Sequence, residues 1–362
     1  MSNQPFVYVG TYTTTLPHVE GKAKGIYVFQ FDPATGALSA GKVAAETPNP
    51  TFLALDPTHR FLYAANETDD GPNRSGGVSA YALDATTGLA HLLNQRLSLG
   101  THPCYLQVDG TGRAVVVANY TSGSVISFPL NSDGSLGEHG SFFQHVGSSV
   151  NPQRQESAHA HMSLIDPSNR FVFVPDLGMD QVKIYQLDAP KGALQPNDPA
   201  FVSVEAGQGP RHFDIHPNRK FAYVINELGS TVTAFRYDEA KGSLEAMQTI
   251  STLPAGFTKN TSCAHIQVHP SGKFLYGSNR GHDSIAIFQI DPQSGRLTAA
   301  GHESTQGQIP RNFTLDPSGN FLLAANQNTD TIVTFRVDPN SGALTPTGHS
   351  APCPSPVCLK FA

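Results

Sequence analysis

The sequence predicts an all-β protein, a seven-bladed β-propeller with four antiparallel strands per blade and a ring closed by the C-terminal strand. Three observations carry that prediction. A unit of about fifty residues recurs along the chain, as in propellers and other repeat architectures. Each unit holds four short runs rich in Val, Ile, Phe and Tyr, separated by Asp-Pro, Ser-Gly or Thr-Gly turns. This is strand patterning rather than helical periodicity. The two chain ends are complementary fragments of one unit.

The units align on a turn. Asp56-Pro57 precedes the run Phe61-Leu62-Tyr63-Ala64-Ala65-Asn66, and copies follow at Asp166-Pro167, His216-Pro217, His269-Pro270 and Asp316-Pro317. Asn66, Asn119, Asp176, Asn226, Asn279 and Asn326 hold one equivalent position, and Thr11 holds it in the first copy. The turn glycines Gly36, Gly88, Gly134, Gly192, Gly242, Gly295 and Gly342 count seven units independently. The first copy starts at its second strand, Phe6 to Thr11. The C-terminal Pro356-Val357-Cys358-Leu359-Lys360-Phe361 matches the inner strand Pro310 to Leu315 and supplies what the first copy lacks. Closure of this kind removes the open sheet edge of a linear array. No linker interrupts the repeat, so residues 1–362 are expected to form one domain, with the longer loops near 12–24, 69–76 and 147–158 as surface excursions. The absence of tryptophan excludes a Trp-Asp propeller, and Gly76-Gly77 is not repeated as a kelch motif requires.

Composition narrows the function. Charged residues make up 14% of the chain, against a usual ~25%, which excludes a coiled coil and a charged disordered chain. With 23 basic and 29 acidic residues the formal charge is -6, so no nucleic-acid partner is expected. Any attraction for anions must come from a local cluster. No stretch approaches the ~18 apolar residues of a membrane span, and Met1 to Pro5 lead directly into a strand, so a cytoplasmic protein without a membrane partner is expected. Cys104, Cys263, Cys353 and Cys358 form no Cys-x-x-Cys pair and read as reduced structural thiols.

Function on a repeated scaffold belongs where equivalent positions stop being interchangeable. One and three residues before the turn the inner strands are apolar. Five residues before it they carry Thr51, Cys104, His161, Arg211, Ala264, Arg311 and Val357, followed in some copies by His212, His265 or Asn312. Just after the Asn position the second strands carry Tyr12, Glu67, Tyr120, Leu177, Glu227, Arg280 and Gln327. Antiparallel pairing brings both registers to one mouth of the channel. The candidate site is therefore His161 and Glu227 for acid-base chemistry, with Arg211, Arg280, Arg311, His212, His265, Glu67 and Gln327 for binding. Converging guanidinium groups bind carboxylate or phosphate bidentately and point to a small, multiply charged anion. The alternative for Arg211 and Glu227 is a salt bridge within one blade. His159-Ala160-His161 has the spacing of a metal pair but no third ligand, and neighbouring arginines repel cations, so no metal is expected. His216 and His269, replacing the turn aspartate, read as surface turn residues. No Gly-x-Ser-x-Gly, His-Glu-x-x-His, P-loop or Gly-x-Gly-x-x-Gly pattern occurs, and no cofactor is expected.

At these residues the chain resembles the seven-bladed lactonase family, which includes propeller-type 6-phosphogluconolactonases and fungal carboxy-cis,cis-muconate cyclases. The resemblance runs from Val9-Gly10-Thr11-Tyr12-Thr13 onward. It is most specific at Gly209-Pro210-Arg211-His212, Asn226-Glu227, Ser278-Asn279-Arg280-Gly281 and Pro310-Arg311-Asn312-Phe313. In the cyclase branch a histidine and a glutamate move protons and two arginines bind substrate. By resemblance these roles fall on His161, Glu227, Arg211 and Arg280. The position of His265 is usually acidic in the family, a departure that bears on pocket shape. The resemblance implies hydrolysis of 6-phospho-D-glucono-1,5-lactone to 6-phosphogluconate, with a small anionic lactone as the partner and the base and acid divided between Glu227 and His161 in either order. The alternatives are a lactonising muconate cyclase and a non-enzymatic protein-binding propeller.

Overall fold

The computed structural model describes residues 4–70 and 72–362. Among them, strands of mostly five to nine residues assemble into seven four-stranded antiparallel sheets around a central channel. Blade 5 is representative: Pro210–Ile215 lines the channel, followed outward by Phe221–Asn226, Thr231–Asp238 and Ser243–Ser251. Blades 2, 3, 4, 6 and 7 repeat this order. Blade 4 departs from it on the inside, where the innermost strand shrinks to Leu164–Ile165.

Blade 1 is closed across the chain ends. Pro356–Phe361 pairs with Phe6–Thr11, with Val9 opposite Leu359. The amide of Leu359 donates to Asn312 Oδ1 of blade 7 at 2.9 Å, so the last strand is tied to both neighbours. Deleting residues 354–362 is expected to cost several kcal/mol, a large part of a typical net stability of ~5–15 kcal/mol, through lost burial and ladder hydrogen bonds. Thermal unfolding of the truncated chain checks this, and an unchanged midpoint would contradict closure by this strand.

The repeated residues are the joints between blades. The turn glycines all have positive φ, from 59° at Gly192 to 84° at Gly134. Six of them lie against an aromatic ring of the preceding blade. A Cβ on Gly134 would sit 2.2 Å from the Phe61 ring, which leaves no room for any other residue. Tyr63, Tyr223 and Tyr276 each donate a hydroxyl to the carbonyl of the facing glycine, at 2.8 to 2.9 Å. The asparagines are buried and work in a similar way. Asn119, Asn279 and Asn326 donate to carbonyls of Ser98, Thr252 and Thr305, the segments arriving from the blade before. His216 and His269 are not surface turn residues. They are only 6% and 8% exposed, and each Nε2 meets a carbonyl of the next blade's turn, Gly272 at 2.8 Å and Gly319 at 2.9 Å. Imidazole reaches across the blade boundary there. At the equivalent turns Asp56 and Asp316 cap their own turn amides. All four cysteines are buried free thiols, and among the described residues no helix is long and apolar enough to cross a membrane.

Candidate active site

One local device, repeated around the ring, builds the channel mouth. The residue before the inner-strand proline, Asn49, His102, Gly209, Ile309 or Ser355, adopts left-handed backbone. Its carbonyl accepts the amide of the mouth residue on the second strand, at 2.9 Å for Glu67, 2.9 Å for Tyr120, 2.7 Å for Glu227, 3.0 Å for Gln327 and 3.2 Å for Tyr12. Directly after the proline the ladder skips a residue. Pro210 pairs with Asn226 but His212 with Ile225, leaving Arg211 as a β-bulge, and Thr51, Cys104, Arg311 and Val357 are bulged in the same way. A bulge re-aims one side chain out of the alternating pattern. This is why the position five before the turn looks into the channel. His161, ahead of the shortened strand of blade 4, is held instead by its amide on the Pro175 carbonyl at 3.0 Å.

These residues surround a cavity of about 430 Å³, lined among others by Glu67, Tyr120, Arg154, His161, Glu227, Arg280 and Arg311. It narrows below into a neck containing Thr51, Arg211 and His212. Glu227 is the hub. Its Oε1 accepts from Arg154 Nη2 at 2.7 Å, and its Oε2 accepts from Arg211 Nε and Arg280 Nη2, both at 2.9 Å. Burial alone would raise the carboxyl's pKa. The combined pull of Arg280, Arg211 and Arg154 outweighs it and holds Glu227 well below the usual carboxylate range. Burial first, and then the nearby Arg280, push Arg211 down to about 9, which still leaves it a cation at neutral pH.

The opposite wall is differently wired. Glu67 accepts from Tyr12 Oη at 2.8 Å and from Thr51 Oγ1 at 2.6 Å, and the Arg311 guanidinium stacks over the Tyr12 ring at 5.5 Å. Among the described residues Arg311 makes no hydrogen bond, so its donors are available to a ligand. His18 touches Tyr12 Oη at 3.2 Å, and burial followed by the charge of Arg311 lowers its pKa to about 4. Burial and Arg211 likewise hold His161 well below the ordinary histidine value, so its ring is neutral at neutral pH. The Nδ1 of His161 faces Cys104 Sγ at 3.7 Å.

A family model described as "Lactonase, 7-bladed beta-propeller" matches residues 6–361. The chain belongs to the seven-bladed β-propeller lactonase family. Among the relatives of this lactonase, a 6-phosphogluconolactonase of Bacillus subtilis is 39% identical over 309 residues, covering 85% of this chain and 84% of the relative. A 6-phosphogluconolactonase of Formosa agariphila is 36% identical over 315 residues, covering 86% of each. A solved structure of a periplasmic gluconolactonase from Pseudomonas aeruginosa superposes with a TM-score of 0.91 at 36% identity, covering 99% of both chains.

The lactonase fold does not gather every candidate residue. His161, Glu227, Arg280, Arg311 and Glu67 line the cavity, whereas Arg211 and His212 line only the neck. His265 lies beside His212, with the two Nδ1 atoms 2.8 Å apart, and borders neither space. Gln327 faces a separate surface depression beside Leu16 and Val19. His159 and His161, the pair with metal-like spacing, both pack against the Tyr120 ring, with centroids 4.8 and 5.2 Å away. Two of the loops read as surface excursions are part of the site, since 12–24 brings His18 to the cavity and 147–158 brings Arg154. Tyr120 and Cys104 stood in the aligned registers. Arg154 and His18 have no counterpart in other blades, so the repeat gave no signal for them.

Proposed function

We propose that this lactonase hydrolyses 6-phospho-D-glucono-1,5-lactone to 6-phosphogluconate in the cytoplasm, its seven blades acting as one domain over residues 1–362. The observation that carries the reading is charge. Four guanidinium groups, Arg154, Arg211, Arg280 and Arg311, meet two carboxylates, Glu67 and Glu227, so the mouth holds two formal positive charges in excess on a molecule of net charge -6. A phosphomonoester carries about -1.5 to -2 at pH 7 and matches that excess. An unphosphorylated gluconolactone carries no charge to match it. The names of the Bacillus and Formosa relatives point the same way.

In this reading His161 is the general base. Its neutral ring faces the cavity, while both carboxylate oxygens of Glu227 are already engaged by three arginines. His161 takes a proton from water as the oxygen attacks the lactone carbonyl carbon. Arg311, with uncommitted donors, stabilises the charge developing on the carbonyl oxygen. The imidazolium then returns the proton to the ring oxygen as the ester bond breaks, leaving a carboxylic acid and a free hydroxyl. Glu227 holds Arg154, Arg211 and Arg280 in place.

The sign of the His161 shift gives a test. An ordinary histidine base loses activity as it protonates below about pH 6.5. A ring whose charged form is disfavoured stays neutral to lower pH. The kcat for the phosphorylated lactone, corrected for spontaneous hydrolysis, is expected to stay level to below about pH 6. A tenfold fall per pH unit starting near 6.5 would contradict a His161 base held below the ordinary histidine value.

A further inference from the structure

We infer that Arg154, carried by the loop 147–158, reads the substrate's phosphate and sets the preference for phosphorylated over unphosphorylated lactones. The inference rests on the proposed lactone hydrolysis and assigns a role to a residue outside the repeat. The four arginines form a gradient of exposure and commitment. The Arg211 side chain is 2% exposed and spends Nε on Glu227 and Nη1 on the Ala264 carbonyl. Arg280 is 13% exposed, and its Nη2 serves both Glu227 and the Cys263 carbonyl. Arg311 lies near His161 at the neck, where the carbonyl reacts. Arg154 alone is open, at 42% exposed. It uses only Nη2, on Glu227 at 2.7 Å and Tyr120 Oη at 3.1 Å.

Its Nε and Nη1 donors have no partner among the described residues and stand at the rim of the cavity, where each can donate singly to a phosphate oxygen. The phosphate of the substrate lies across the ring oxygen from the carbonyl, on the C5–C6 arm. With the carbonyl placed at His161 and Arg311 by the neck, the inferred pose directs that arm towards Arg154 at the rim. The loop is braced before any ligand arrives. Asn151 Oδ1 accepts the Arg154 amide at 3.2 Å, and Gln155 Nε2 donates to the Leu177 carbonyl at 2.9 Å. A pre-placed donor costs less to order on binding than a mobile one.

The test compares wild type with Arg154→Met and Arg154→Lys on 6-phosphogluconolactone and on glucono-1,5-lactone. The readout is the ratio of kcat/KM for the two substrates, with calorimetric affinities for 6-phosphogluconate and gluconate as a second readout. Both ratios are expected to fall roughly tenfold to a hundredfold in Arg154→Met, mainly through KM in the kinetic case, with partial recovery in Arg154→Lys. A ratio within twofold of wild type would overturn the inference, and so would parallel losses on both substrates, which would make Arg154 only a brace for Glu227. Should the wild type hydrolyse neither lactone, the proposed reaction fails. The affinity ratio for the two acids then decides the role of Arg154 alone: a drop in Arg154→Met sustains phosphate recognition, and no drop ends it.

Discussion

Replacing His161 by Gln is expected to lower turnover of the phosphorylated lactone by ~10²–10⁴, the usual contribution of a positioned general base. The ring is buried but makes only weak contacts, with Cys104, Tyr120 and His212. Its loss should therefore leave the ring of blades folded and the affinity for 6-phosphogluconate within a few-fold of wild type. Single-turnover or steady-state rates on a variant of confirmed native melting behaviour check this. A rate within a few-fold of wild type would move the proton transfer away from His161.

Glu227→Gln is expected to behave differently, because this carboxylate carries structure. It is the counter-ion of Arg154, Arg211 and Arg280, and two of those cations are almost wholly buried. Removing one partner of a buried charge cluster typically costs about 3–5 kcal/mol. The open position of Arg154 places the expected loss at about 3 kcal/mol, and a melting point lower by roughly 4 °C for a chain of this size. Turnover should fall together with stability, since the arginines that bind and polarise the substrate lose their common anchor. The check is to measure both quantities on one preparation. A large loss of turnover at an unchanged melting point would assign Glu227 a direct part in proton transfer.

The contrast between these two residues marks how far the sequence could be read. Ring closure was legible because Phe6 to Thr11 lacks an inner strand and Pro356 to Phe361 is a spare one. The mouth was legible because the spacing from Arg211 to Glu227 is repeated from blade to blade, and the pairing brings both to one end. What the repeat could not show was how each donor is used. Arg211 and Arg311 occupy equivalent positions, yet one is spent on Glu227 and a carbonyl while the other is uncommitted. That difference depends on neighbours from other blades. His212 follows its bulge and His265 lies within the irregular stretch between Cys263 and Ile266, and the two turn away from the cavity towards one another, a reversal that spacing alone does not reveal. Arg154 was invisible for the opposite reason: it lies in a loop with no equivalent to be compared with, and only the folded chain brings it to Glu227.

The most direct test of the account is the rate of hydrolysis by the wild-type protein of 6-phosphogluconolactone, glucono-1,5-lactone and carboxymuconolactone in parallel, each corrected for its spontaneous reaction. A mouth with two excess positive charges and a neutral base predicts a higher kcat/KM for the phosphorylated lactone than for the uncharged glucono-1,5-lactone, and the proposed reaction requires it to exceed that for carboxymuconolactone as well. Faster turnover of carboxymuconolactone, or no enzyme-dependent hydrolysis of the phosphorylated lactone, would contradict it.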